Sequence, residues 1–263
     1  MRRLLVLPSL LCLLGAAPVW AQPSQRVVEI PTRPGVTQRF LVLAPDSPKA
    51  TVVLFAGGHG GLQISPHGDF GWGKGNFLVR SRELFAALGF LVAVVDAPSD
   101  RQSAPFLGGF RQTSEHVSDI KAVIAWLRQD ARVPVWLVGT SRGTQSAAFI
   151  AIELGPARGG PDGLVLTATI LRDDRGRAVP AMPLQRVVVP VLAVHHKQDG
   201  CKASAYADLS GLVERFTAAP RKDLLAFDGG ANRGDPCEAF AYHGFNGIER
   251  DVVAKIAAWI AAR

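Results

Sequence analysis

From Val27 onward, short apolar runs rich in β-branched residues alternate with segments whose apolar positions recur every three or four residues. Residues 38–44, 51–55, 90–95, 134–138, 164–170, 191–195 and 222–227 read as strands, several of them nearly continuous apolar runs. Such runs suit strands covered on both faces, because a half-exposed strand would alternate apolar and polar positions. Between them, Val117, Ile120, Ile124 and Leu127 mark one apolar helix face, and Leu209, Leu212, Val213 and Phe216 mark a second. Val252, Ile256, Trp259 and Ile260 mark the last. Asn246, three residues before Glu249, supplies a start signal for that final helix. Alternating strands and helices call for a mainly parallel sheet with helices on both sides. Residues 27–44 have no helix between their strands and are expected to form an antiparallel, hairpin-like edge. No repeat or long low-complexity linker divides the chain, and 171–189 is too short and too polar to form a separate lid. A length of 263 residues suits one large core, so 22–263 is read as a single domain.

The first residues are set apart from this pattern. Arg2 and Arg3 precede an apolar run from Leu4 to Ala17, and small or apolar residues lead up to Ala21. This is the layout of a secretory signal peptide over 1–21, cut between Ala21 and Gln22, which makes the mature protein periplasmic or secreted. The run is shorter than the roughly 20 residues of a spanning helix, and Pro8 and Pro18 interrupt it, so no stable membrane insertion is expected. Loss of the leader removes Cys12 and leaves Cys201 and Cys237, which in an oxidising compartment are expected to pair as a disulfide. No cysteine or histidine cluster has metal-ligand spacing, so no metal or other cofactor is expected. The formal charge is +7, two of which lie in the leader, and acidic residues punctuate the basic ones without a like-charge run. Nucleic-acid binding therefore finds no support, and no protein partner can be inferred.

The strongest chemical signal is Gly139-Thr140-Ser141-Arg142-Gly143, which follows an apolar strand and precedes a small-residue helix, 144–154. Gly-x-Ser-x-Gly in that setting makes a sharp strand-to-helix turn, with glycines where a Cβ would not fit and a serine Oγ lifted above the sheet. The Arg142 N–H then lies at a helix N-terminus, where an oxyanion can be stabilised.

With this motif and the strand order around it, the chain resembles the α/β-hydrolase superfamily along nearly its whole mature length. The resemblance implies a mainly parallel central sheet of about eight strands flanked by helices, with no large lid. It also implies a catalytic triad in the order serine, acid, histidine, at the ends of successive later strands. Ser141 matches the nucleophile, Asp199 after the 191–195 run matches the acid, and His243 before the last helix matches the base. Asp173 and Asp174 follow the preceding strand and stand as the alternative acid. Cys201 lies two residues after Asp199 and Cys237 six before His243, so a bridge would tie the acid loop to the histidine loop.

The glycine-rich segment Ala56-Gly57-Gly58-His59-Gly60-Gly61-Leu62 resembles the His-Gly loops of esterases and lipases. It implies a second oxyanion donor at Gly61 or Leu62. His195 and His196 are read as satisfied structural histidines, with a brace for the acid loop as the alternative for one of them, and His67 and His116 as surface or loop residues. Phe70, Trp72, Phe106 and Phe110 lie in loops on the carboxyl side of strands, where they either line a pocket or pack locally. The expected reaction is hydrolysis of a small-molecule ester through an acyl-enzyme. Amide hydrolysis, acyl transfer and a non-catalytic binding role on the same fold remain open at this point.

Overall fold

A computed structural model describes residues 23–175 and 177–262; the expected signal peptide lies outside the described residues. Eight strands form one sheet in the order β1-β2-β4-β3-β5-β6-β7-β8. β1 (Ser24–Arg33) and β2 (Val36–Ala44) make the antiparallel edge expected from the sequence, and β2 also runs antiparallel to β4 (Phe90–Val95). The remaining pairs are parallel: β3 (Ala50–Phe55) lies between β4 and β5 (Val135–Thr140), followed by β6 (Gly163–Thr167), β7 (Val191–His196) and β8 (Lys222–Phe227).

The inner strands β3 to β7 present alternate residues to two apolar layers, which is why their sequences are nearly continuous apolar runs, whereas β1 and β8 at the edges are partly exposed. On one side Val53, Phe55, Leu137 and Leu166 pack with Ile120, Ile124 and Leu127 of α3 (Ser114–Ala131) and with Ala147, Ile150 and Ala151 of α4 (Gly143–Glu153). On the other side Val52, Leu54, Val138 and Val194 meet Phe77 of α1 (Phe77–Arg80), Phe85 of α2 (Arg82–Ala87), and Ile256 and Ile260 of α5 (Glu249–Ala261).

Four local expectations change. The apolar positions Leu209, Leu212, Val213 and Phe216 are carried by two short 3-10 turns, Tyr206–Asp208 and Val213–Arg215, rather than a helix. Gly211 between them has φ +79°, which ends any helical run, while Leu209, Leu212 and Phe216 still reach the core. The strand expected over 164–170 stops at Thr167, because Ala168 takes φ +44° and Thr169 N–H turns to His195 Nε2, 2.7 Å away. Asn246 does not cap α5: its Nδ2 donates to Ala231 O and Phe240 O, and the helix starts at Glu249. His116 is not a surface residue but is buried on the inner face of α3, between Phe55 and Phe110. Among the described residues of 171–189 there are two 3-10 turns, Val179–Ala181 and Leu184–Arg186, and no longer helix that could form a lid.

Candidate active site

The turn between β5 and α4 carries Ser141 at φ +51°, a left-handed conformation costly for a residue with a side chain. The surrounding chain holds it there. Ser141 N–H donates to Thr167 O at 3.0 Å, and Ser141 O accepts from Thr144 N–H at 2.9 Å and Thr144 Oγ1 at 2.6 Å. Both motif glycines are forced by contact rather than by φ. A Cβ on Gly143 would overlap Phe55 O at the end of β3, and one on Gly139 would overlap the Gly143 backbone.

The acid and base expected from the sequence meet. Asp199 follows β7, His243 lies in the 3-10 turn Tyr242–Gly244, and His243 Nδ1 stands 2.9 Å from Asp199 Oδ2. Both side chains are buried. Asp199 Oδ1 accepts from Cys201 N–H at 2.9 Å, so the carboxylate is fixed at both oxygens. Ser204 Oγ adds a third member, 2.9 Å from His243 Nδ1 and 3.3 Å from Asp199 Oδ2, accepting from the ring N–H while donating to the carboxylate. That arrangement puts the His243 proton on Nδ1 and leaves Nε2, buried and without a hydrogen-bond partner among the described residues, as an acceptor. His243 and Ser141 line one cleft of about 300 Å³, with Trp72, Phe77, Ala239 and Phe240 as its apolar walls. Asp173, the alternative acid, accepts instead from Gln145 Nε2 at 3.0 Å and Arg175 N–H at 2.9 Å.

Cys201 and Cys237 form a disulfide beside this pair, with Cα atoms 4.5 Å apart. His196 provides a second tie between the same loops. Its Nδ1 accepts from Gln198 N–H at 3.0 Å, its Nε2 faces Gly229 O at 2.9 Å, and its ring stacks on Tyr242, next to His243, at 4.4 Å. His195 accepts Thr169 N–H, and burial holds its pKa down to about 4, so it is neutral. Neither could be ranked from sequence, since stacking and tautomer belong to the folded loops.

The oxyanion loop is organised differently from the expectation. Gly61 N–H donates to His59 Nδ1 at 3.1 Å and Leu62 N–H to Asp96 Oδ1 at 2.7 Å, so neither is free for a substrate. Asp96, buried after β4, also accepts from Gln63, Ile64 and Ala97 N–H and locks the far half of the loop. The near half reaches the serine instead. A Cβ on Gly57 would come within 2.9 Å of Ser141 Cβ, and both Gly57 and Gly58 line the cleft. The N–H groups of Gly61 and Leu62, expected as donors, are thus already engaged, and the part of the loop beside Ser141 is Gly57–Gly58. Glycine is needed at Gly58 because its φ is +56° and a Cβ would strike Trp72. His59 itself is sandwiched between Trp72 at 3.8 Å and Phe106 at 4.3 Å, while Phe70 and Phe110 are buried packing residues.

Beneath this loop lies Arg111, which the sequence did not single out. It is 4% exposed, donates to Ala56 O at 3.1 Å, Gly58 O at 3.3 Å and Ser146 Oγ at 3.0 Å, and makes no salt bridge among the described residues. Burial, with Arg142 nearby, pushes its pKa down to about 9. This cation holds the carbonyls of the peptides on either side of the Gly57–Gly58 bond, Ala56 O and Gly58 O, and so fixes the course of the loop there.

No protein-family model and no curated protein matches the sequence. Solved structures do resemble the fold. A dienelactone hydrolase from Anabaena variabilis is 17% identical, with a TM-score of 0.61 over 91% of this chain and 98% of that one. An esterase from Pyrococcus furiosus is 13% identical, with a TM-score of 0.62 over 90% and 92%. A serine hydrolase from Xanthomonas campestris, described as lacking a lid, is 16% identical, with a TM-score of 0.57 over 95% and 99%. Strand order, the turn at Ser141 and these likenesses together give this chain the α/β-hydrolase fold.

Proposed function

We propose that this protein is a serine hydrolase that cleaves a carboxylic ester through an acyl-enzyme, with Ser141 as nucleophile, His243 as base and Asp199 as the acid that orients it. The observation that carries the reading is the His243 ring. Its Nδ1 is anchored at 2.9 Å to Asp199, and its buried Nε2 is unpartnered in the cleft that Ser141 lines. Serine is a poor nucleophile until a positioned base takes its proton. In the first step His243 Nε2 accepts the Ser141 proton as Oγ attacks the carbonyl carbon, while Asp199 stabilises the imidazolium. The carbonyl oxygen becomes an oxyanion between the Arg142 and Gly58 N–H groups. Collapse expels the alcohol, which takes the proton from His243, and water repeats the sequence to release the acid. The esterase and hydrolase neighbours support a hydrolase, and the absence of a lid suits small, accessible esters. The chain acts after export, in the periplasm or outside the cell; the leader sequence and the disulfide support this. Among the described residues no helix is long and apolar enough to cross a membrane.

The test is turnover of aryl esters of graded acyl length by mature protein, beside Ser141→Ala and Asp199→Asn. Loss of essentially all turnover in the first and of several orders of magnitude in the second is expected. Unchanged turnover in either variant would refute the assignment.

A further inference from the structure

Ser141 lines one of two neighbouring surfaces of different character, which share Gly58. On one side is the cleft that holds His243, walled mainly by apolar side chains, with Glu238 as its one carboxylate and no Lys or Arg among the described residues that line it. On the other, a groove of about 820 Å³ begins at Gly58 and Arg142 and is lined by Arg172, Arg175, Arg177 and Lys202. Only two carboxylates, Asp173 and Asp174, share the groove with these five cations. Their pairing is incomplete. Arg142 and Arg177 share a single oxygen of Asp173, at 3.6 and 3.7 Å, beyond hydrogen-bond reach, and Arg177 Nε is buried with no hydrogen-bond partner among the described residues. Arg172 pairs with Asp208, outside the groove, at 2.5 Å. Arg175 and Lys202 make no salt bridge among the described residues. Burial works to raise the Asp173 pKa but is outweighed by the Arg175 N–H, Gln145 and the two arginines, so this carboxylate stays ionised and still leaves positive charge over.

We propose that this groove binds a carboxylate on the acyl half of the substrate, making the preferred substrate a monoester of a dicarboxylic acid. The inference rests on the serine-esterase reading. The direction follows from His243, which must give its proton to the departing alcohol oxygen and which lines the apolar cleft rather than the groove. The alcohol half is thus placed against Trp72, Phe77 and Phe240, and the acyl half extends past Arg142 into the cations. Hydrolysis then releases the alcohol, carrying the proton from His243. Water next cleaves the bond to Ser141 Oγ, releasing the dicarboxylate and returning the proton to Ser141.

Phenyl monoesters of succinic, glutaric and adipic acids are compared with phenyl butyrate, valerate and hexanoate, in low and in 0.5 M salt. At least one anionic ester is expected to exceed its neutral counterpart about tenfold or more in kcat/KM, and salt should narrow the gap as it screens the groove. The variant Arg175→Ala/Lys202→Ala should lose several-fold on the anionic ester while staying within about twofold on the neutral one. Equal or lower activity on every anionic ester, or a gap indifferent to the double variant, would overturn the proposal. So would an anionic preference confined to the alcohol half, read by comparing 4-acetoxybenzoate with its methyl ester. Calorimetric binding of glutarate to Ser141→Ala provides a readout free of turnover. Binding that disappears in Arg175→Ala/Lys202→Ala supports the groove even if no ester is cleaved, in which case only the esterase reading fails. No binding of glutarate would sink the groove proposal whether or not neutral esters are cleaved.

Discussion

Lowering the pH from 7.5 to 5.0 should destabilise this protein by about 4 kcal/mol through two buried histidines, His116 and His195. Burial, with Arg111 and Arg33 nearby, depresses the His116 pKa from 6.5 to about 3. Burial likewise depresses His195 from 6.5 to about 4, against the opposing pull of Asp199. Both rings are neutral in the native state: His116 has no partner on either nitrogen, and His195 accepts Thr169 N–H with Nε2. In the unfolded chain each protonates near its ordinary value, so between pH 6.5 and about 4 the unfolded state holds more protons. Stability is therefore complete above the unfolded pKa and is lost as pH falls toward the folded one. At about 1.4 kcal/mol per proton per pH unit, the interval to pH 5.0 costs about 2 kcal/mol for each ring. The window ends above the ordinary carboxylate range, which keeps most aspartates and glutamates out of the change. Guanidinium unfolding at the two pH values, with a common m-value, measures it. His116→Phe, which keeps the packing between Phe55 and Phe110, should reduce the span to about 2 kcal/mol. A wild-type loss below about 1 kcal/mol, or an unaltered span in His116→Phe, would refute the reasoning.

Two further outcomes follow from the loops. Arg111→Met, which leaves Ala56 O and Gly58 O without their donor, should lower kcat about tenfold or more with little change in KM, and Arg111→Lys should recover part of it. An effect on KM alone would remove Arg111 from the support of the oxyanion loop. Cys201→Ser/Cys237→Ser should cost about 4 kcal/mol in denaturant unfolding, the chain-entropy value for a separation of 36 residues, while ester turnover at room temperature falls only modestly. Two free thiols in exported protein kept from reductant would show that the bridge does not form.

Much of the architecture is written in local pattern. Short apolar runs rich in β-branched residues suit strands buried on both faces, and glycines at 139 and 143 suit a turn too tight for side chains, so the sheet and the turn at Ser141 are legible together. The pairing of Asp199 with His243 was legible through their order along the chain, and they do meet at 2.9 Å. What escaped depends on partners distant in sequence. Gly61 and Leu62 look like donors until Asp96 and His59 are seen to occupy them. Arg111 looks like a surface cation until it is found under Ala56 and Gly58. Ser204 carries no motif at all, and its role exists only because the acid loop folds back over His243. The apolar positions around Leu212 do enter the core, but Gly211 delivers them on turns instead of a helix. Periodicity reports which residues are buried more faithfully than it reports the backbone that buries them.

The central claim is that Ser141 is a nucleophile activated by His243. A fluorophosphonate probe on the mature protein, followed by peptide mass spectrometry, tests it most directly. The account predicts a single adduct on Ser141, absent in Ser141→Ala and strongly slowed in His243→Ala. An adduct on another serine, or labelling that proceeds unchanged without His243, would contradict it.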